Sequence, residues 1–362
     1  MNGESDRGRL AYVTALRGAA ALVVAVGHTM SMPPPDHPPG TFFDATWGER
    51  ALWPFRFGGQ MVCLFLLVSG FALYWSEEGR RVRTGQGSSL GQFTARRMWR
   101  IAPTYYLALG LALVILFAGQ TMAISPSESL DTSTPVTITG FLTHAVFLHN
   151  LDPQWVHQIS PPLWSLAIEV QLYFLFPILF LGIWRKNPIM PVITLIIMTH
   201  LVDKITNTSL FGLMEFFGAG ALLAWFLRDR KMTQPRVYLF GALIVFTIGM
   251  YLGPGSSDGL IGRCLWLAAF SLLVIGLHQS PGLTWRSPLG RTMIKIGEVS
   301  YSLYAIHFPI ALAVWWAVGR FDLSRWQQVV LMLLVGGPPI WLITILVHRF
   351  IERPSTMKSQ AI

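Results

Sequence analysis

The sequence predicts an all-α, polytopic membrane protein with ten transmembrane helices, both termini cytoplasmic, forming a single domain over residues 1–362. Three observations point there. Hydrophobic residues make up 52% of the chain and charged residues only 12%, and the mean hydropathy is +0.49. Apolar runs long enough for a hydrocarbon core of ~30 Å recur along the whole sequence, which a water-soluble protein of this size does not show. Lys and Arg then alternate in density from one connecting loop to the next, as the positive-inside bias requires.

The first span, 10–31, carries Arg17 and His28 eleven positions apart. On a helix they project from nearly one face, about 16 Å apart along the axis. Two ionisable groups on one stripe read either as a structural pair inside a bundle or as a functional face toward protein, water or substrate. The segment contains an arginine, lacks a small-residue cleavage site and leads into further spans, so it is not a cleavable signal peptide. The second span, 58–76, holds Ser69-Gly70-Phe71, where small residues allow close helix approach. Arg96, Arg97 and Arg100 precede the third, 101–119, and serve either as a topological anchor or as a phosphate-binding rim. Val136 to Leu148 is apolar but interrupted by His144, and reads as an amphipathic or re-entrant element.

The fourth span, 163–184, begins Leu163-Trp164-Ser165, and Ser165 shares a face with Glu169. The fifth, 188–203, is short; 209–227, 236–252 and 260–278 follow. In the ninth, 297–318, Ser300 and His307 lie seven apart on one face with Tyr304 beside them, either as satisfied core groups or as a site. The tenth is 327–348.

Charge placement sets the topology. With both ends inside, 20 Lys and Arg fall on the inner side and 6 on the outer: Arg50, Arg56, Lys204, Arg263, Arg320 and Arg325. An odd number of spans scrambles that order. The formal charge of +9 is then explained by topology, and no nucleic-acid partner is expected. Thr84–Gly91 is an inner loop; Pro33–Pro39 and Gln120–Pro162 are outer ones. Cys63 and Cys264 fall on or beside different spans, so neither a disulfide framework nor a thiolate metal site is indicated, and no metal is expected. Two independent spans thus bring His28 and Glu169 to similar depths beneath the outer surface. Polar residues that merely lock helices contribute about 1–2 kcal/mol, and a carboxylate at that depth is costly for such a purpose.

Six stretches then form an ordered pattern: Arg17-Gly18 with His28; Phe65 through Phe71; Arg96-Arg97-Met98-Trp99-Arg100-Ile101-Ala102-Pro103; Leu163 through Glu169; Gly297 through Pro309; and Ile351-Glu352-Arg353-Pro354. Over essentially the full chain this resembles the acyltransferase family three integral-membrane O-acyltransferases, which modify bacterial O-antigens, peptidoglycan, exopolysaccharides, nodulation factors and macrolides. The resemblance implies that Arg17 and His28 match the essential first-helix pair and that Arg97 and Arg100, with Arg96 beside them, match an arginine motif engaging acyl-CoA. It also implies that Trp164, Ser165 and Glu169 match a fourth-helix motif. Ser69, Ser300, Tyr304 and His307 are then cavity-lining candidates.

The expected activity is transfer of an acyl group, acetyl in the first instance, from cytosolic acyl-CoA to a hydroxyl of a carbohydrate or glycolipid at the outer side of a bacterial inner membrane. His28 is the expected general base, and Glu169 a group that orients or stabilises its imidazole. Acyl-CoA is a co-substrate, and no cofactor is expected to stay bound. A macrolide-type acceptor is the alternative within the family. A non-catalytic transporter is the alternative outside it, against which stands the lack of an internal repeat.

Overall fold

Apolar segments with no water around them must close their amide hydrogen bonds internally, and every regular element among the described residues is a helix. The computed structural model describes residues 10–32, 50–121, 136–183, 188–206, 213–230, 232–253, 259–280 and 287–361. The expected outer loop Pro33–Pro39, residues 122–135 of the second outer loop and the first four residues of the sixth expected span lie outside them. The helices are α1 (Ala11–Ser31), α2 (Gly58–Thr84), α3 (Leu90–Thr121), α4 (Ile138–Ala145), α5 (Leu163–Phe176), α6 (Ile189–Thr206), α7 (Met214–Arg228), α8 (Pro235–Leu252), α9 (Leu260–His278), α10 (Pro288–Glu298), α11 (Ser300–Val318), α12 (Arg325–Leu331), α13 (Gly337–Val347) and α14 (Arg353–Ala361). Wider π turns at Met332–Gly336 and His348–Glu352 join α12, α13 and α14 into one rod, and α5 runs on into another at Pro177–Ile183. Each π turn begins at or lies just before a proline, Pro177, Pro338 or Pro354. Proline offers no N–H to the carbonyl four residues back, so the hydrogen-bond ladder re-registers there.

Nine helices among the described residues are long and apolar enough to cross a membrane. They fall on nine of the ten expected spans. The sixth expected span falls on α7, whose described 15 residues rise about 22 Å, less than a full crossing. Nine candidate crossings, rather than ten, are therefore seen among the described residues.

The chain divides into two compact units. The first gathers the described residues of Met1–Ala21, Gly58–Phe93 and Leu172–Ser300. Helices in lipid gain little from apolar burial and associate through close packing of small residues. Here α2 and α7 cross backbone to backbone: a methyl on Gly70 would strike the Phe217 carbonyl, and one on Gly220 the Leu67 carbonyl. The start of α1 meets α10 in the same way, through Gly18 and Gly297. Gly249 of α8 leaves room for the fully buried Trp266 of α9, which packs on Phe246 and Phe270.

The second unit gathers the described residues of Leu22–Phe57, Thr94–Gln171 and Tyr301–Ile362. At its centre stands α11, with 78% of its most apolar window buried within the protein against 33% for α3. Polar side chains on α11 therefore face protein rather than lipid. The Tyr301 hydroxyl donates to the Ile101 carbonyl at 2.8 Å and the Ser359 hydroxyl to the Arg96 carbonyl at 2.8 Å, fastening α3 at both ends of its arginine segment.

Candidate functional site

The site grows from α11. His307 is fully buried, and its Nδ1 lies 3.1 Å from the Leu303 carbonyl oxygen and 2.8 Å from that of Tyr304. A carbonyl only accepts, so Nδ1 carries the proton and Nε2 of the neutral ring carries a lone pair. That lone pair faces Nδ1 of His28 at 3.0 Å. His28 Nδ1 must then donate, which leaves its own Nε2 with an unshared pair. The two rings lie 5.2 Å apart and 22° from parallel, with Phe308 edge-on to His28 at 5.8 Å. His28 keeps part of its surface open. Gly27 beside it lets the turn Trp53–Arg56 approach, since a methyl there would strike the Phe55 carbonyl. A histidine with one nitrogen fixed and the other open has the form of a general base.

One turn back along α11, the Tyr304 hydroxyl lies 2.6 Å from the Ser165 hydroxyl, and both reach the Pro162 carbonyl, at 3.3 and 3.1 Å. The Tyr304 ring is 5.8 Å from that of His307. Half-buried Glu169, one turn along α5 from Ser165, acts electrostatically on the Tyr304 phenol. The hydrogen-bond partner at Nδ1 of His28 is thus His307, whereas the residue expected to orient that imidazole was Glu169. Trp164 sits half-buried beside Ser165.

Arg17, Ser69 and Ser300 belong to the first unit. Arg17 is half-buried next to the glycine contact between α1 and α10. Ser69 shares a hydrogen bond of 3.3 Å with the Tyr173 hydroxyl. Ser300 donates to the Gly297 carbonyl at 2.8 Å and closes the turn between α10 and α11.

The arginine segment lies in the second turn of α3 and beyond. Arg96 is buried, Arg97 and Arg100 are half-buried, and Trp99 is exposed with the Lys358 ammonium 5.1 Å over its ring. Arg100 acts electrostatically on the carboxylate of Glu352.

Two groups of polar residues carried no role in the sequence reading. One is Ser302, His348 and Glu352; Ser302 and Glu352 stood only as members of two of the six ordered stretches, and a His–Glu pair four apart ends the apolar run. The other is the stacked pair His144 and His149, both fully buried, with ring centres 3.7 Å apart. The Tyr105 and Tyr106 hydroxyls hold this segment through the His144 and Ala145 carbonyls at 2.8 Å each. Phe147 between the two histidines adopts a left-handed backbone, φ 60°, and packs on Tyr105. Burial pushes the His144 imidazole down to about 4. Burial, followed by the nearby His144, also holds His149 well below the usual histidine range. Among the described residues no group of three or more His, Cys, Asp or Glu is placed to hold a metal ion.

Comparison with known proteins gives these positions a context. A family model described as an acyltransferase domain matches residues 10–348. Acyltransferase MdmB of Streptomyces mycarofaciens is 25% identical over 333 residues, which cover 83% of this chain and 79% of that protein. O-acetyltransferase OatA of Staphylococcus aureus is 23% identical over 321 residues, covering 81% of this chain and 52% of its own length. The chain thus spans about half the length of that relative. No solved structure matches the chain.

Proposed function

The chain belongs to the acyltransferase family whose domain it matches over residues 10–348, and from that premise we propose that it moves an acetyl or other short acyl group from cytosolic acyl-CoA to a hydroxyl of a carbohydrate or glycolipid at the outer side of a bacterial inner membrane. It is a multi-pass membrane enzyme of the O-acyltransferase type. In this reading ten helices cross the bilayer with both termini cytoplasmic, which the split of 20 inner to 6 outer Lys and Arg supports.

The His28–His307 pair carries the mechanism. As the acceptor hydroxyl attacks the thioester carbonyl, His28 Nε2 takes its proton. The imidazolium that forms donates through Nδ1 to His307 Nε2, a hydrogen bond that strengthens as the charge develops. Collapse of the tetrahedral intermediate breaks the carbon–sulfur bond, and His28 returns the proton to the departing thiolate, so that ester and free CoA leave and the pair is restored. The Tyr304 and Ser165 hydroxyls, one turn back along α11 from His307, are further donors for the oxyanion or the acceptor in this reading. Arg97 and Arg100 hold the CoA phosphates in this reading. Tyr301 ties the level of Ile101 to α11, and His307 lies six residues further on, roughly 9 Å of helix rise. That puts a phosphate end and a reacting end at different levels along one element, in the order in which CoA carries its phosphates and its thiol.

The test is transfer from labelled acetyl-CoA to a membrane glycan fraction by purified protein. His28→Ala is expected to lose about 10²–10⁴-fold in rate while still inserting and folding. His307→Ala is expected to lose a comparable factor, and the double variant to be little worse than either, because the two rings act as a unit. Rates for both single variants within threefold of wild type would remove the pair from the mechanism.

A further inference from the structure

Just before α11 lies α10, Pro288–Glu298, whose 11 residues rise about 16 Å, half of a hydrocarbon core. The local sequence starts this helix: Pro288 stands in its first turn, and the Ser287 hydroxyl accepts from the Gly290 amide at 3.0 Å. Its side chains then sort by face. Gly290 and Gly297 are both buried, and a methyl on Gly297 would strike the Thr14 carbonyl of α1. Leu289, Met293 and Ile296, spaced four and three, share a second side. Leu289 is 69% exposed and the other two are half-buried. Arg291 and Lys295, four apart, project from the far side and are both exposed. Among the described residues neither of them forms an ion pair.

The helix thus offers an apolar side and a basic side at once, and the two together select what covers it. One face measures about 16 Å by 10 Å, or roughly 160 Å², whereas a specific protein interface takes about 800 Å² from each partner. The patch is too small to hold a second copy or another protein by itself. A bilayer surface fits both sides: acyl chains beside Leu289, and headgroups around Arg291 and Lys295, whose long stems carry their charges out to them. Two cations against the single carboxylate of α10, Glu298, leave one net positive charge, which favours a headgroup of negative charge.

We propose that α10 is a lipid-recognition helix: Arg291 and Lys295 bind the headgroup of an anionic phospholipid while Leu289 enters the acyl boundary. In the proposed topology the lipid belongs to the inner leaflet. The binding holds whatever the acyl donor and acceptor are, because none of these residues belongs to the histidine pair or to the arginine segment.

The test uses the full chain with Cys264→Ser and Leu289→Cys, in which residue 289 carries the reactive thiol because Cys63 is buried. The protein is labelled there with bimane and reconstituted in phosphatidylcholine vesicles. Chain-brominated phosphatidylcholine or phosphatidylglycerol is then added at one mole fraction, and quenching is measured. Both lipids are expected to quench, phosphatidylglycerol about 5-fold more effectively, the size of one net basic charge at a membrane surface. Arg291→Gln with Lys295→Gln is expected to bring that ratio below twofold and to leave quenching by phosphatidylcholine unchanged. Arg80→Gln with Arg83→Gln, which removes two cations from α2, is expected to leave the ratio as it was. Salt at about 1 M, which shortens the screening length to about 3 Å, is expected to abolish the preference in the labelled parent, and it carries the test if the α10 variant does not fold. Absence of quenching by either lipid overturns the proposal, since something other than lipid then covers Leu289. Equal quenching by the two lipids, a preference that survives salt, or an equal loss in the α2 variant overturns it as well.

Discussion

A histidine, rather than a carboxylate, meets the imidazole of His28, and the two choices differ in a bilayer. A carboxylate beside His28 would place a full charge inside the apolar interior before any reaction begins. A neutral imidazole asks for charge only when the acceptor proton arrives. Both histidines were legible in the sequence as polar residues interrupting apolar spans. Their pairing across 279 positions was not, because helix periodicity places a residue on a face without saying which helix that face meets. Glu169 was read as a group that orients the His28 imidazole or stabilises its protonated form, from a matched depth and by analogy with acid–base pairs, and a matched depth does not say which helices are neighbours. The stacked histidines His144 and His149 lead to a pH prediction. The His144 imidazole is held down at about 4 by burial, below the ordinary value near 6.5 in an unfolded chain. Between those values the unfolded state binds the proton and the folded state does not, so stability falls as pH is lowered through that window and is unaffected above it. The loss for His144 alone is about 3 kcal/mol by the time pH reaches 4. Thermal unfolding in detergent between pH 7 and 4 should show it, and His144→Phe should flatten the profile; identical profiles would mean that His144 is protonated freely.

Elements were easier to read than contacts between them. Among the described residues nine helices lie on the apolar runs that length and hydropathy picked out, and Ser69-Gly70-Phe71 was read as a place of close approach, which Gly70 against Phe217 now explains. The three π turns were not legible, although the prolines beside them were: a proline inside a helix can kink, break or widen it, and packing decides which. Close approach carries its own prediction. Gly70→Ala places a methyl against the Phe217 carbonyl, which belongs to backbone and cannot step aside. It should lower stability by about 1–3 kcal/mol, as overpacking does. Gly110→Ala in α3 is the matched control, because nothing lies within 4 Å of the added carbon. There the gain in helix propensity should leave stability equal or raised by up to about 1 kcal/mol. Melting temperatures of the two variants in one detergent should therefore move apart, and a common shift would remove the crossing of α2 and α7 as the cause.

At the scale of the whole molecule the proposed mechanism puts its two chemistries at different levels of the membrane. His28 lies three residues before the end of α1, while the arginines stand near the start of α3. With both termini inside, α1 runs outward and ends near the outer surface, and α3 begins at the inner one, where Lys and Arg are dense. Acyl-CoA carries phosphates and is made in the cytosol, so in the proposed topology the arginine segment faces the side where the proposed donor is found. In that topology a surface glycan cannot reach the arginine side, but it can reach His28 from the other. The two substrates should then enter by opposite doors. In vesicles of known orientation, acetyl-CoA should support transfer only from the side that carries the termini. A membrane-impermeant glycan acceptor should react only when placed on the opposite side. Reaction of both soluble substrates from the terminal side alone would place the chemistry beside Arg97 and Arg100 rather than at His28. Permeabilised vesicles supply the control, since transfer there must proceed whichever side holds each substrate.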